Sequence, residues 1–167
     1  MSGFPSTTDL CDANEALFDS GELRVLAPGL LAFGVRERFC GAARTIKLFE
    51  DNSLLAQAVK ESGAGQVLVV DAGGSTRCAV LGGNLARSAA DNGWAGVVVF
   101  GAVRDVDEID GFAIGVRALA VNPRRSIKRG EGQRDLAVSV CGALVRPGDW
   151  IYADRDGVLA CGHRLHP

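Results

Sequence analysis

Two short apolar runs, Val67-Leu68-Val69-Val70 and Val97-Val98-Val99-Phe100, constrain this chain more than any other feature. β-branched runs of this length, separated by a helix-sized segment, read as buried strands whose ends carry loops. The segment from Asn84 to Gly93 predicts a helix of about two to three turns, with Asn84 suited to the N-cap and Gly93 standing where helices often stop. Buried strands joined through a helix imply an α/β arrangement, and chemistry in such sheets collects at the strand ends.

Two glycine-bearing segments follow these runs. Gly82-Gly83-Asn84-Leu85 opens the expected helix, so free backbone N–H groups and the positive end of the helix dipole face whatever approaches over the glycines, a receptor for a carboxylate or phosphate. Gly101-Ala102-Val103-Arg104-Asp105 ends the second run. Arg104 offers a permanent cation with a bidentate donor fork, and Asp105 is a hard oxygen ligand suited to Mg²⁺ or Mn²⁺. The plainer alternative is a Gly-Gly turn beside an Arg-Asp ion pair. Dinucleotide binding is not indicated: Asp71-Ala72-Gly73-Gly74-Ser75-Thr76-Arg77 lacks the third glycine of GxGxxG, and no P-loop lysine follows.

The remaining elements fit a layered sandwich. Residues 44–49 read as a strand, 52–61 as a short helix, and 114–121 as a strand that Gly115 weakens. Residues 136–145 and 150–160 read as strands with turns, the second hinged at Asp156-Gly157. Helix-linked strands followed by hairpins make one β/β/α unit of 167 residues, with no linker or repeat to divide it. Five cysteines, an odd number without CxxC spacing, read as reduced and mostly buried thiols. His163 and His166 fall in the last five residues, where fraying is the default expectation. The net charge of −2 argues against nucleic-acid binding by the surface as a whole, and Arg124, Arg125, Lys128, Arg129 and Arg134 read as a solvated loop region. Without a signal-like start or an apolar stretch of about 18 residues, the expected location is cytoplasmic, with no membrane contact.

The ordered words of the chain resemble the RraA-like family, which contains the regulator of ribonuclease E activity and the divalent-metal-dependent 4-hydroxy-4-methyl-2-oxoglutarate aldolases. The resemblance rests on residues 67–77, 81–86, 92–96 and 101–107. It extends through Thr8 to Asp12, Phe33-Gly34, Arg36 to Gly41, Phe49 to Asn52, Asn122 to Arg124 and Tyr152 to Gly157. It implies a swivelling β/β/α fold assembled as a homotrimer with sites near subunit boundaries. In the aldolases an acid, twenty residues and then Arg-Asp form the site. On that pattern Arg104 contacts a 2-oxo acid such as oxaloacetate, 4-hydroxy-4-methyl-2-oxoglutarate or pyruvate, Asp105 holds the metal, and the amides of Gly82 to Leu85 hold the carboxylate. The first acid has no counterpart, because Gly83 stands in its place. Decarboxylation of oxaloacetate needs little beyond enolate stabilisation, whereas retro-aldol cleavage also needs a group to move protons. Two readings therefore stay open: a metal-dependent lyase, or a non-catalytic regulator of ribonuclease E or an RNA helicase.

Overall fold

The computed structural model describes residues 3–167. In chain order it begins with helices α1 (Thr7–Ala13) and α2 (Ala16–Asp19) and strands β1 (Leu23–Val25), β2 (Leu31–Phe33) and β3 (Phe39–Lys47). Helix α3 (Ser53–Ala58) leads to β4 (Val67–Asp71), β5 (Ala79–Leu81), α4 (Gly83–Asp91), β6 (Gly96–Val103), α5 (Val106–Ile109) and β7 (Gly115–Val121). The last third is all strand: β8 (Gln133–Arg134), β9 (Val138–Val140), β10 (Ala143–Val145), β11 (Trp150–Ala153) and β12 (Val158–Cys161).

The two apolar runs lie side by side at the centre. β4 and β6 pair in parallel with Val67 opposite Gly96 and Val70 opposite Val99, and β3 and β7 extend the parallel set on either side. Alternation along these strands sorts the core into two layers. Leu68, Val70, Val97 and Val99 face α3 and α4, while Val67, Val69 and Val98 face β9, β10 and β11. All seven are fully buried, each contributing roughly 1.5–3 kcal/mol of transfer free energy. The sheet continues through antiparallel β11, β12 and β1, and β9 and β10 form a separate hairpin, which completes the β/β/α layering.

Several boundaries differ from the sequence reading. β3 starts at Phe39, and α3 ends at Ala58. Asn52 makes no side-chain cap to α3; Asp51 accepts from Ser53 N–H instead. Gly115 belongs in β7: Phe39 lies across Gly96 and Gly115, which are register partners, and a Cβ at either would run into the ring. The glycines are a packing requirement at that crossing. The C-terminal residues are docked, since Leu165 N–H donates to the Tyr152 hydroxyl (2.7 Å) and His166 sits among Phe4, Trp150 and Tyr152. Cys78, Cys141 and Cys161 are buried, Cys11 and Cys40 half-buried, and all five are unpaired. No helix is long and apolar enough to cross a membrane.

Candidate active site

The strand absent from the sequence reading, β5, builds the site. β4 leaves β6 after Asp71, and β5 takes over beside the C-terminal half of β6, Ala79 pairing with Ala102 and Leu81 with Val103. Two parallel strands therefore end together, and Arg104 N–H donates to Leu81 O at 2.9 Å. This junction sets the Gly82-Gly83 turn against Arg104-Asp105, as expected for chemistry at the carboxyl ends of parallel strands.

Gly82, and not Asn84, is the N-cap of α4, and it carries no side chain to cap with. Asp105 performs that service from another element. It adopts the left-handed conformation (φ 57°, ψ 41°), an uncommon state that Asp tolerates better than most residues. In this pose its Oδ2 accepts from Gly83 N–H at 3.0 Å. The expected amide receptor is thus narrower than the sequence implied: Gly83 N–H is engaged by Asp105. Ala86 N–H donates to Gly82 O. Among the described residues the Asn84 and Leu85 N–H groups have no acceptor, so they remain for an anion.

Arg104 is held loosely. Its Nε lies 3.8 Å from Asp105 Oδ2, and Nη1 donates to Pro123 O at 3.4 Å. Both side chains are more than a third exposed, so this pair adds little stability and leaves its groups available. A cleft of about 240 Å³ opens here, lined by Gly82, Gly83, Asn84, Leu85, Arg104 and Asp105, so all six sequence-derived site residues meet in one place.

Asn52, Arg125, Ser126 and Lys128 line the same cleft, although the sequence reading does not place them in the site. The basic run at 124–129 is an exposed loop, as the sequence reading expects, and its backbone is tied down against the cleft. Asp51 anchors it. One Asp51 oxygen accepts from Ser53 N–H (2.9 Å) and Oγ–H (2.6 Å), the other from Arg129 N–H (2.7 Å) and Glu131 N–H (3.2 Å). Burial pushes the Asp51 carboxyl up, but these bonds outweigh it and bring it down to about 2. Lys128 Nζ donates to Asn52 Oδ1 (2.9 Å), and Ala79 bridges to Arg125. Arg134 belongs elsewhere, paired with Glu61. The signal that was available is positional: residues 122–128 follow β7, whose end lies beside that of β6.

The donor set fits a hard divalent ion. Asp105 carries a part-exposed carboxylate, and Glu108, one turn along α5, places a second beside it. Mg²⁺ is commonly held by one or two carboxylates, with water and substrate completing its shell. A group of three potential ligands among the described residues, Glu22, Cys161 and His163, lies elsewhere, just before β1 and at and just after the end of β12, away from this cleft in the strand order.

The cleft thus lies at the ends of parallel strands in a layered β/β/α protein. The chain belongs to the RraA-like family, whose model (Aldolase/RraA) matches residues 7–160. A relative from Burkholderia mallei, provisionally named a 4-hydroxy-4-methyl-2-oxoglutarate aldolase, is 58% identical over 160 residues, covering 96% of this chain and 97% of the relative. The RNA-processing inhibitor RraA of Thermus thermophilis superposes with a TM-score of 0.89 at 48% identity, covering 96% of this chain and 94% of its own. A Geobacillus kaustophilus structure described as an S-adenosylmethionine: 2-dimethylmenaquinone methyltransferase gives 0.91 at 39% identity, covering 96% and 97%.

Proposed function

We propose that this protein is a divalent-metal-dependent lyase of small 2-oxo dicarboxylates, which cleaves 4-hydroxy-4-methyl-2-oxoglutarate to two molecules of pyruvate and decarboxylates oxaloacetate. The observation that carries this reading is the charge layout of the cleft. Arg104, Arg125 and Lys128 surround the unengaged amides of Asn84 and Leu85, with the Asp105 carboxylate at the same turn. A dianionic substrate suits three cations and a helix N-terminus; a sulfonium-bearing methyl donor does not.

In this reading the amides receive the carboxylate next to the keto group, and Arg104 stabilises the enolate that develops when the carbon–carbon bond breaks. Arg125 and Lys128 attract the distal carboxylate. Asp105 would hold Mg²⁺ or Mn²⁺, which supplies Lewis-acid polarisation of the keto acid when bound. A homotrimer with sites near its boundaries is part of the proposal, supported by the exposed apolar side chains of Phe49, Val121 and Ile127 beside these loops. The unpaired thiols suit a reducing cytoplasm.

A second reading, regulation of RNA decay through ribonuclease E or an RNA helicase, draws on the likeness to the Thermus inhibitor. Purified protein should release pyruvate from oxaloacetate with Mg²⁺ or Mn²⁺ and stop on chelation. No release with any divalent metal, together with capture of ribonuclease E, would establish the second reading in place of the first.

A further inference from the structure

The end of β12 brings together three donors of different chemistry. Glu22, just before β1, Cys161, the last residue of β12, and His163 place a carboxylate oxygen, a sulfur and an imidazole nitrogen within 4.8 Å of one another. Strand pairing sets the arrangement: Leu23 is the register partner of Cys161, and Gly162 N–H donates to Glu22 O at 3.2 Å. The turn Cys161-Gly162-His163 then carries the imidazole back to the sulfur, with Nδ1 4.0 Å from Cys161 Sγ and 3.0 Å from Glu22 Oε1.

A surface His–Glu pair would account for two of these groups but not for the rest of the arrangement. A Cβ at Gly162 would stand 2.5 Å from Glu22 Oε1 and 2.9 Å from its Cδ, so the carboxylate occupies the space that a side chain at 162 would take. The His163 backbone N–H bonds the Cys161 sulfur, a contact that favours a thiolate. Cys161 is fully buried, whereas the Glu22 and His163 side chains are 42% and 55% exposed, so the sulfur is fixed and the other two donors are free to adjust. Zn–S bonds of about 2.3 Å and Zn–N and Zn–O bonds of about 2.0–2.2 Å put tetrahedral donors about 3.4–3.6 Å apart. The observed 3.0 and 4.0 Å straddle that spacing, and small turns of Glu22 and His163 reach it. The charges close as well: one thiolate and one carboxylate neutralise a divalent ion, and the neighbouring Arg24 is already paired with Asp149.

We propose that Glu22, Cys161 and His163 form a Zn²⁺ site that fastens the C-terminal segment to the start of β1. A sulfur, an imidazole nitrogen and a carboxylate oxygen suit Zn²⁺ rather than Mg²⁺ or Mn²⁺, which prefer oxygen donors. Binding displaces the Cys161 thiol proton to solvent, takes His163 through Nδ1 and leaves a fourth position for water. The site is independent of the lyase reading, whose ion belongs with Asp105.

The test titrates the full-length protein, reduced, stripped of metal and kept in excess Mg²⁺, with Co²⁺ as a coloured stand-in for Zn²⁺. One equivalent per chain should bind with a near-ultraviolet thiolate-to-cobalt band and be displaced by Zn²⁺. Zn²⁺ at about a hundred times its Kd should raise Tm by roughly 5–10 °C. Cys161→Ala should abolish the thiolate band. His163→Ala and Glu22→Ala, at part-exposed positions, should each weaken binding by more than the roughly 10–100-fold that losing a ligand's supporting partner costs. Asp105→Ala should change none of these readings. Absence of the thiolate band, or a band that survives in Cys161→Ala, would overturn the proposal by placing the ion elsewhere. If Cys161→Ala fails to fold, the two part-exposed variants decide it, and undiminished affinity in both would overturn it.

Discussion

Asp51→Asn is the sharpest probe of how the cationic wall of the cleft is held. Asp51 is fully buried and takes four hydrogen bonds, two on each oxygen, from Ser53, Arg129 and Glu131. An amide in its place must turn its NH₂ toward one of the two donor pairs whichever way it is flipped. Two part-buried donors then lose their acceptor at about 1–3 kcal/mol each, so a loss of about 2–4 kcal/mol is expected after partial relaxation. For a chain of this size that is a fall in Tm of roughly 5–15 °C. The pH dependence gives an internal control. The folded carboxyl lies at about 2, below its ordinary 3.8, so its ionisation stabilises the protein above about pH 4 and that contribution fades as pH falls toward 2. The shift corresponds to about 2.5 kcal/mol, at about 1.4 kcal/mol per pH unit. Urea unfolding of both proteins should therefore show a gap that is full at pH 6 and narrows toward pH 2. Because Lys128 sits on the anchored loop, the variant should also show a raised KM. A Tm within 2 °C of the parent, or a gap that does not narrow in acid, would refute the anchoring argument.

Arg104→Lys should lower kcat/KM for oxaloacetate by about 10²-fold in steady-state assays, since a point charge does not reproduce a planar donor fork on a carboxylate or enolate; an unchanged value would remove Arg104 from the site. Arg125→Ala and Lys128→Ala should each raise KM for dicarboxylates about tenfold and barely change inhibition by pyruvate, which lacks the distal carboxylate; parallel changes would contradict the assignment. Gly115→Ala should destabilise by about 1–3 kcal/mol in urea unfolding, because the added methyl meets the Phe39 ring; a neutral result would mean that this crossing yields easily.

The central strands were legible because Val67–Val70 and Val97–Phe100 can be buried on both faces only in the middle of a layered sheet. The position of Arg104 and Asp105 at a strand end was legible for the same reason, since they follow the second run. β5 was not, being three residues after a glycine-bearing loop, with no periodicity to reveal it. Without β5 the adjacency of Gly82 and Arg104 rests on resemblance alone. The 122–129 segment was legible as an exposed loop but its place in the cleft was not, because what orders it is a buried carboxylate seventy-odd residues earlier. Gly83 looked like a lost acid, since the sequence line cannot show that Glu108 folds back over it.

The most direct test of the account is pyruvate release from 4-hydroxy-4-methyl-2-oxoglutarate by the purified protein and by Asp105→Ala, side by side across a Mg²⁺ titration. The account predicts saturable, metal-dependent release by the parent. In Asp105→Ala the metal dependence should be lost, with stability lowered by only about 1 kcal/mol, the worth of the cap to Gly83. Equal release by both proteins, or release indifferent to metal, would contradict it.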